Sequence, residues 1–178
     1  MARLFVAVRP PELVRDMLLG AMGGISGARW QDDDQLHLTL RFIGDVDRRV
    51  ADDIVVALAG VRHPAIEATV GSVGSFADRG RPNAVWAGVG PVAALSALHL
   101  KVDQALASAG VPRDGRAFHP HITLARLNRG SGDIAGFVAA TLIAARFTIT
   151  GFGLFESILA RDRATYREVE HVEFAGLR

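Results

Sequence analysis

Two short stretches carry the residue types that can move protons. Leu36 to Phe42 reads LHLTLRF, and Phe118 to Arg126 reads FHPHITLAR. Each holds a histidine, one apolar residue, a threonine and a leucine: His37 and Thr39 in the first, His121 and Thr123 in the second. Side chains at i and i+2 of a strand share a face. Each imidazole therefore stands beside its hydroxyl, while Leu38, Leu40, Ile122 and Leu124 anchor the other face. One such motif alone ordinarily means a histidine making a structural hydrogen bond. Two copies in matching context point to chemistry. One imidazole can take a proton from a nucleophile and the other can give one to a leaving oxygen, each worth about 10²- to 10⁴-fold. The hydroxyls can donate to non-bridging phosphate oxygens as charge develops. The combination fits cleavage of a phosphodiester without a metal.

Competing chemistries lack their residues. The chain has no cysteine, which excludes disulfides, thiolate nucleophiles and cysteine-based zinc sites. No G-x-S-x-G elbow offers a serine for acyl transfer. No GxxxxGK[ST] loop supports ATP-dependent ligation. His119 shares parity with His121, yet a third ligand of the usual kind is not evident nearby, so no metal site is expected. It reads as an exposed or supporting residue. His63 and His99 read as structural, and His171 as part of a solvated strand face.

The elements that must position these residues emerge from periodicity. Leu4 to Val8 reads as a strand and Pro11 onward as a helix ended by Gly23 and Gly24. Leu36 to Ile43 alternates as a strand, with Leu36, Leu38, Leu40 and Phe42 opposite His37, Thr39 and Arg41. GDVD at Gly44 to Asp47 caps a helix over Val50 to Leu58. Strands at Ile66 to Val73 and Ala84 to Val89 flank a loop, Ala77 to Asn83, and a helix runs from Pro91 to about Ser108. The second motif comes next as a strand, then a short helix over Ile134 to Leu142. Strands are expected over Arg146 to Phe155, Glu156 to Arg161 and Tyr166 to Phe174. The order strand, helix, histidine strand occurs twice, with Leu4 to His37 spanning 33 residues and Ala84 to His121 spanning 37. Two such units related by a pseudo-twofold would bring both histidine strands to a shared cleft. The expected class is α+β: one bilobal domain over residues 1–178, with two mainly antiparallel sheets, helices outside and a central cleft.

Composition sets the bounds. The length suits a single domain with a substantial core, and 49% apolar against 22% charged residues is ordinary for a globular chain. A net charge of +1 will not draw the whole molecule to nucleic acid, so any polyanion site must come from local arginines. Lys101 is the only lysine. No run is long and apolar enough for a membrane span, and MARLFVAVRPP reads as a first strand rather than a signal peptide. A cytoplasmic monomer with no membrane partner is expected.

The sequences HLTLRFIGDV and FHPHITLAR resemble the two H-x-T-x signatures of the 2H phosphoesterase family, in particular its RNA 2′,3′-cyclic phosphodiesterases, once called 2′-5′ RNA ligases. The likeness extends to RLFVAVRPP and to the overall length. It implies hydrolysis of a terminal 2′,3′-cyclic phosphate on RNA 3′ ends to a 2′-phosphate, with no metal or other cofactor. By motif position, His37 protonates the leaving 3′-oxygen, His121 activates water, and Thr39 and Thr123 hold the phosphate. Arg126 matches a family arginine near the phosphate, but it is off the parity of His121 and Thr123. It reaches the cleft only if the strand bulges or ends near Ala125. Other readings are a 2H enzyme for a small cyclic nucleotide or 2′-5′ oligonucleotide, and an RNA-binding module without turnover. Among aromatics able to stack on a base, Trp30 and Phe76 are favoured for a cleft rim, and Phe42, Trp86 and Phe118 for the core. Arg79, Arg81, Arg113 and Arg116 are candidate backbone contacts or solvated turns.

Overall fold

The computed structural model describes residues 1–159 and 164–174. Strand β1 (Ala2–Val8) ends before Pro10 and Pro11, which cannot donate to a ladder. Pro11 then stands at the N-cap of α1 (Glu12–Ala21), whose Val14 and Leu18 are buried. A short β2 (Arg29–Trp30) and a 3₁₀ turn over Asp33–Gln35 lead into β3 (Leu38–Val46). The Asp47 carboxylate caps α2 (Arg48–Ala59) by accepting from the Val50 amide at 2.9 Å. The remaining elements are β4 (Ile66–Asp78), β5 (Arg81–Gly90), α3 (Val92–Ser108), β6 (His121–Arg126), α4 (Ala135–Ala139), β7 (Ala145–Ile149), β8 (Gly151–Leu159) and β9 (Ala164–Glu173).

Four expectations need correction. The segment Ala77 to Asn83 is not a loop, because β4 and β5 run through it to an Asp78–Arg81 pair. Arg79 and Gly80 close the hairpin with φ of 49° and 78°, the positive angles of a twist-matched two-residue turn. Arg146 to Phe155 is not one strand. Its alternation continues through Thr150, but the chain changes partner there, so β7 pairs with β4 and β8 with β1. The strand expected at Glu156 is the end of β8, and Arg161 lies outside the described residues. Finally, β6 starts at His121 rather than Phe118, whose ring leaves the alternation to stack on His99 at 4.4 Å.

All pairings are antiparallel, in the order β7-β4-β5-β6-β3-β1-β8-β9, with β2 also on β6. The order is symmetric about its centre: β6 matches β3, β5 matches β1, and each half has four strands. The halves meet through β3 and β6 at a single residue pair, Leu38 with Ile122. The two expected sheets are thus two halves of one pinched sheet. Leu36, Leu38, Leu40, Ile122 and Leu124 turn to one face, where they join Leu95, Leu98, Val102 and Leu106 of α3 in the main core. Truncating any of these leucines would cost about 2–5 kcal/mol. The other face carries a small separate cluster, Phe5, Ala7 and Phe155, with Tyr166 against it. Among the described residues no helix is long and apolar enough to cross a membrane.

Candidate active site

The joint between the halves places the two motifs together. With Leu38 opposite Ile122 in antiparallel register, the neighbouring positions set His37 across from Thr123 and Thr39 across from His121. All four are half-buried and lie on the face opposite the leucine core. Each imidazole is held the same way. His37 Nδ1 lies 2.7 Å from the Gln35 carbonyl, and His121 Nδ1 lies 2.6 Å from the His119 carbonyl. A carbonyl only accepts, so each Nδ1 must carry the proton and each Nε2 is left with its lone pair free for the cleft.

Their surroundings differ. His37 packs against Phe5 at 4.9 Å and Tyr166 at 5.2 Å. Burial pushes its pKa down to about 4, aided by the charges of His121, Arg126 and Arg9 and opposed by the Gln35 carbonyl. His121 meets Phe76 edge-on at 4.7 Å. Its pKa is also lowered, first by burial and then by His119 and Arg126, against the His119 carbonyl. The turn before His37 is clamped by ion pairs from Arg9 to Asp33 (2.8 Å) and Arg15 to Asp33 (2.6 Å).

A bulge in each strand re-aims the residues C-terminal to the threonine. In β6, Trp86 pairs with Thr123 but Val85 pairs with Ala125, which leaves Leu124 without a partner on β5. Leu124 and Ala125 are both fully buried, and Arg126 returns to the cleft side as an exposed residue. The condition that parity set for Arg126 is met by this bulge. Strand β3 repeats the device at Leu40, since Val6 pairs with Arg41 and Ala7 with Thr39. The expected alternation therefore flips. Arg41 turns into the core and Phe42 turns out, 40% exposed, with the Arg3 guanidinium 5.3 Å from its ring centre.

Known proteins share this chain's sequence pattern and its fold. Residues 26–161 match the family model described as the 2'-5' RNA ligase superfamily. The chain belongs to that superfamily. An RNA 2',3'-cyclic phosphodiesterase of Aeropyrum pernix is 32% identical over 82% of this chain and 85% of its own length. One from Archaeoglobus fulgidus is 29% identical over 96% and 99%. The crystal structure of Escherichia coli LigT complexed with 3'-AMP superposes with a TM-score of 0.79 at 26% identity, covering 97% of this chain and 98% of that one.

Within this superfamily member the aromatics sort differently from the sequence reading. Phe76 does face the cleft, but Trp30 packs on Phe137 at 5.3 Å on the core side. Trp86, expected in the core, lies on the cleft face beside Thr123 and 4.7 Å from His119. A Cβ at Gly74 would collide with its indole, so glycine there is what lets the ring lie on β4. The Trp86 Nε1–H is buried with no partner among the described residues. His63 and His99 are structural, each with Nδ1 2.7 Å from a backbone carbonyl, of Pro64 and Leu40 respectively. His171 Nδ1 is hydrogen-bonded to the Glu168 carboxylate at 2.8 Å. Arg116 is held by Asp114 at 2.8 Å. Among the described residues, no group of three or more His, Asp or Glu is placed to hold a metal ion.

Sequence reasoning missed Arg9, Tyr166 and the Arg41–Asp103 pair. The last is buried at 2.8 Å, and Arg41 also donates to the Pro112 carbonyl. It ties the bulge of β3 to α3 and to the loop that feeds β6. Burial alone would raise the Asp103 pKa, but the hydrogen bonds from Arg41 and the Asp114 amide hold it below the usual carboxylate range. Only the unusual arginine in an otherwise regular alternation hinted at it.

Proposed function

We propose that this phosphodiesterase opens the 2′,3′-cyclic phosphate at RNA 3′ ends by a two-histidine acid/base mechanism. The observation that carries the reading is the matched pair of Nε2 atoms. Each is presented by an Nδ1–carbonyl bond, and the two imidazoles come from opposite sides of the single-pair joint. The names of the relatives support the substrate.

His121 Nε2 takes a proton from a water as its oxygen attacks phosphorus. The P–O3′ bond breaks, His37 Nε2 delivers a proton to the departing 3′-oxygen, and a 2′-phosphate remains. Thr39, Thr123 and Arg126 hold the non-bridging oxygens, where charge grows. Burial lowers the pKa of both histidines, that of His37 to about 4. The bound phosphate anion must therefore favour the imidazolium form of His37 for it to act as the acid.

The test is incubation of RNA ending in a 2′,3′-cyclic phosphate, in EDTA, with the position of the product phosphate mapped. A 2′-phosphate formed at an undiminished rate is expected. Loss of turnover restored by a divalent ion, or a 3′-phosphate product, overturns the mechanism. A cyclic substrate with a far better leaving group assigns the roles. It should rescue His37→Ala and not His121→Ala, and the reverse pattern would exchange them.

A further inference from the structure

We infer that the β4–β5 hairpin end of the sheet half that contains β6 is a binding track for the RNA phosphates 5′ of the cyclic end, which makes the enzyme selective for a single-stranded oligonucleotide over a mononucleotide. The inference rests on the proposed cyclic-phosphate activity and extends it along the strand. At Arg126 and just beyond it, the chain runs beside the start of β5. Ala84 pairs with Arg126, the Leu127 amide donates to the Asn83 carbonyl at 2.9 Å, and Arg29 of β2 pairs with Arg126 from the other edge. There a cavity of about 490 Å³ is lined by Arg79, Arg81, Arg129, Asn83 and Asn128, with Asp78 as its one carboxylate.

Charge and spacing identify the occupant. Arg29, Arg79, Arg81, Arg126 and Arg129 are all exposed, and among the described residues none of the five has an ion-pair partner. Elsewhere Arg9, Arg15, Arg41, Arg116 and Arg167 are each matched to a carboxylate, and the other described arginines without an ion-pair partner, Arg3, Arg48, Arg49, Arg62, Arg113 and Arg146, are scattered singly or as one pair over β1, α2, β7 and two connecting segments. With a net charge of only +1, unmatched arginines gathered at one end give a local anion field the molecule as a whole lacks. From Trp86, beside Thr123, to Arg81 is five residues, or roughly 17 Å at the rise of an antiparallel strand. That is the span of a few nucleotides and not of one. Phe76 and Trp86 line the path between, with π-faces on which unpaired bases can stack whatever their sequence.

The turn itself adds an independent observation. Arg79 holds φ at 49°, a left-handed conformation that L-residues with a long side chain adopt at a cost and that asparagine or glycine adopts readily. A twist-matched turn has no need of arginine there. The position retains a guanidinium where folding alone would favour another residue.

The experiment compares wild type with the triple variant Arg79→Asn, Arg81→Ser, Arg129→Ser, and with Arg79→Asn alone. Two substrates are used at low salt: a nucleoside 2′,3′-cyclic phosphate, and an oligoribonucleotide about eight residues long with the same end. Binding of a non-hydrolysable oligonucleotide of that length, ending in a 3′-phosphate, is measured by fluorescence anisotropy across salt concentrations. The triple variant should lose about tenfold or more in kcat/KM on the oligonucleotide, with the mononucleotide rate unchanged within about twofold. Its slope of log Kd on log salt should fall by about 2, as expected when three phosphate contacts on a single strand are removed. Arg79→Asn should raise Tm while weakening oligonucleotide binding. Equal loss on both substrates, or an unchanged salt slope, overturns the inference. If wild type opens neither substrate, the proposed function fails, and the anisotropy slopes still decide the track.

Discussion

The two His-x-Thr strands are near copies in backbone and unlike in charge. Both orient the imidazole through a carbonyl two residues upstream, and both carry a bulge immediately after the threonine. The bulge makes the fifth residue after each histidine a cleft residue. In β6 that residue is Arg126, a cation close enough to depress both histidines. In β3 it is Phe42, facing Arg3. The fourth residue differs as well: Ala125 fills the core under β2, whereas Arg41 reaches through it to Asp103. A repeated scaffold thus carries an exposed cation on the β6 side and a structural clamp on the β3 side. Symmetric geometry presents two imidazoles in the same way. The asymmetry of the residues around them gives the two rings different environments.

The largest expected effect tests the symmetric part. His37→Ala and His121→Ala should each lower kcat by about 10²-fold or more, measured as hydrolysis of a cyclic-phosphate RNA at saturating substrate. His119→Ala should fall far short of either, because its imidazole lies exposed at the strand entrance, 6.0 Å from the His121 ring. A His119 variant as impaired as His121→Ala would mean the wrong imidazole has been paired with His37.

The asymmetric part is tested next. Arg126→Ala should lower kcat/KM by about 10- to 10²-fold, since a charge-assisted contact to the phosphate is worth about 1.5–3 kcal/mol. Phe42→Ala, at the matching position of β3, should change it by less than about threefold. Similar losses in both variants would show that the phosphate sits midway between the strands and that charge does not divide them.

A smaller effect concerns pH. Both histidines have pKa values below the ordinary 6.5, His37 at about 4. On the proposed mechanism the reactive form of the empty enzyme holds one proton on the pair, so both limbs of the kcat/KM bell belong on the acid side of 6.5. The maximum should lie there too, and the two limbs report the pair rather than either residue. A bound phosphate anion favours the imidazolium forms, so the kcat profile should sit at higher pH. A kcat/KM optimum above 7 would show that burial does not govern the titration of His37.

Least in size is the stability counterpart. The unfolded chain takes up a proton on His37 near pH 6.5 and the folded protein only near 4. Between those values the unfolded state binds more protons, and stability falls as pH is lowered. Tm should decline on acidification through that window, and His37→Gln should flatten the decline.

Much of this was legible in the chain itself. Period-two alternation through Leu36, Leu38 and Leu40 and through Ile122 and Leu124 determined which side of each strand is core. It therefore determined that His37, Thr39, His121 and Thr123 share the other side. The helices over Glu12–Ala21, Arg48–Ala59 and Val92–Ser108 were legible from their spacing and caps. Local pattern carries that information because a strand or helix exposes its own period. What it cannot carry is pairing. The bulges at Leu40 and Leu124 exist only relative to β1 and β5, and they decide that Arg41 is buried and that Phe42 and Arg126 are not. The break at Thr150 is likewise a change of neighbour with no change of alternation. The depressed pKa of His37 comes first from burial and then from the charges of His121, Arg126 and Arg9, and the rings packed against it, Phe5 and Tyr166, are distant in sequence. Residue type and period determined which groups can react. Long-range strand pairing alone decided which of them meet, because register and desolvation belong to contacts between segments.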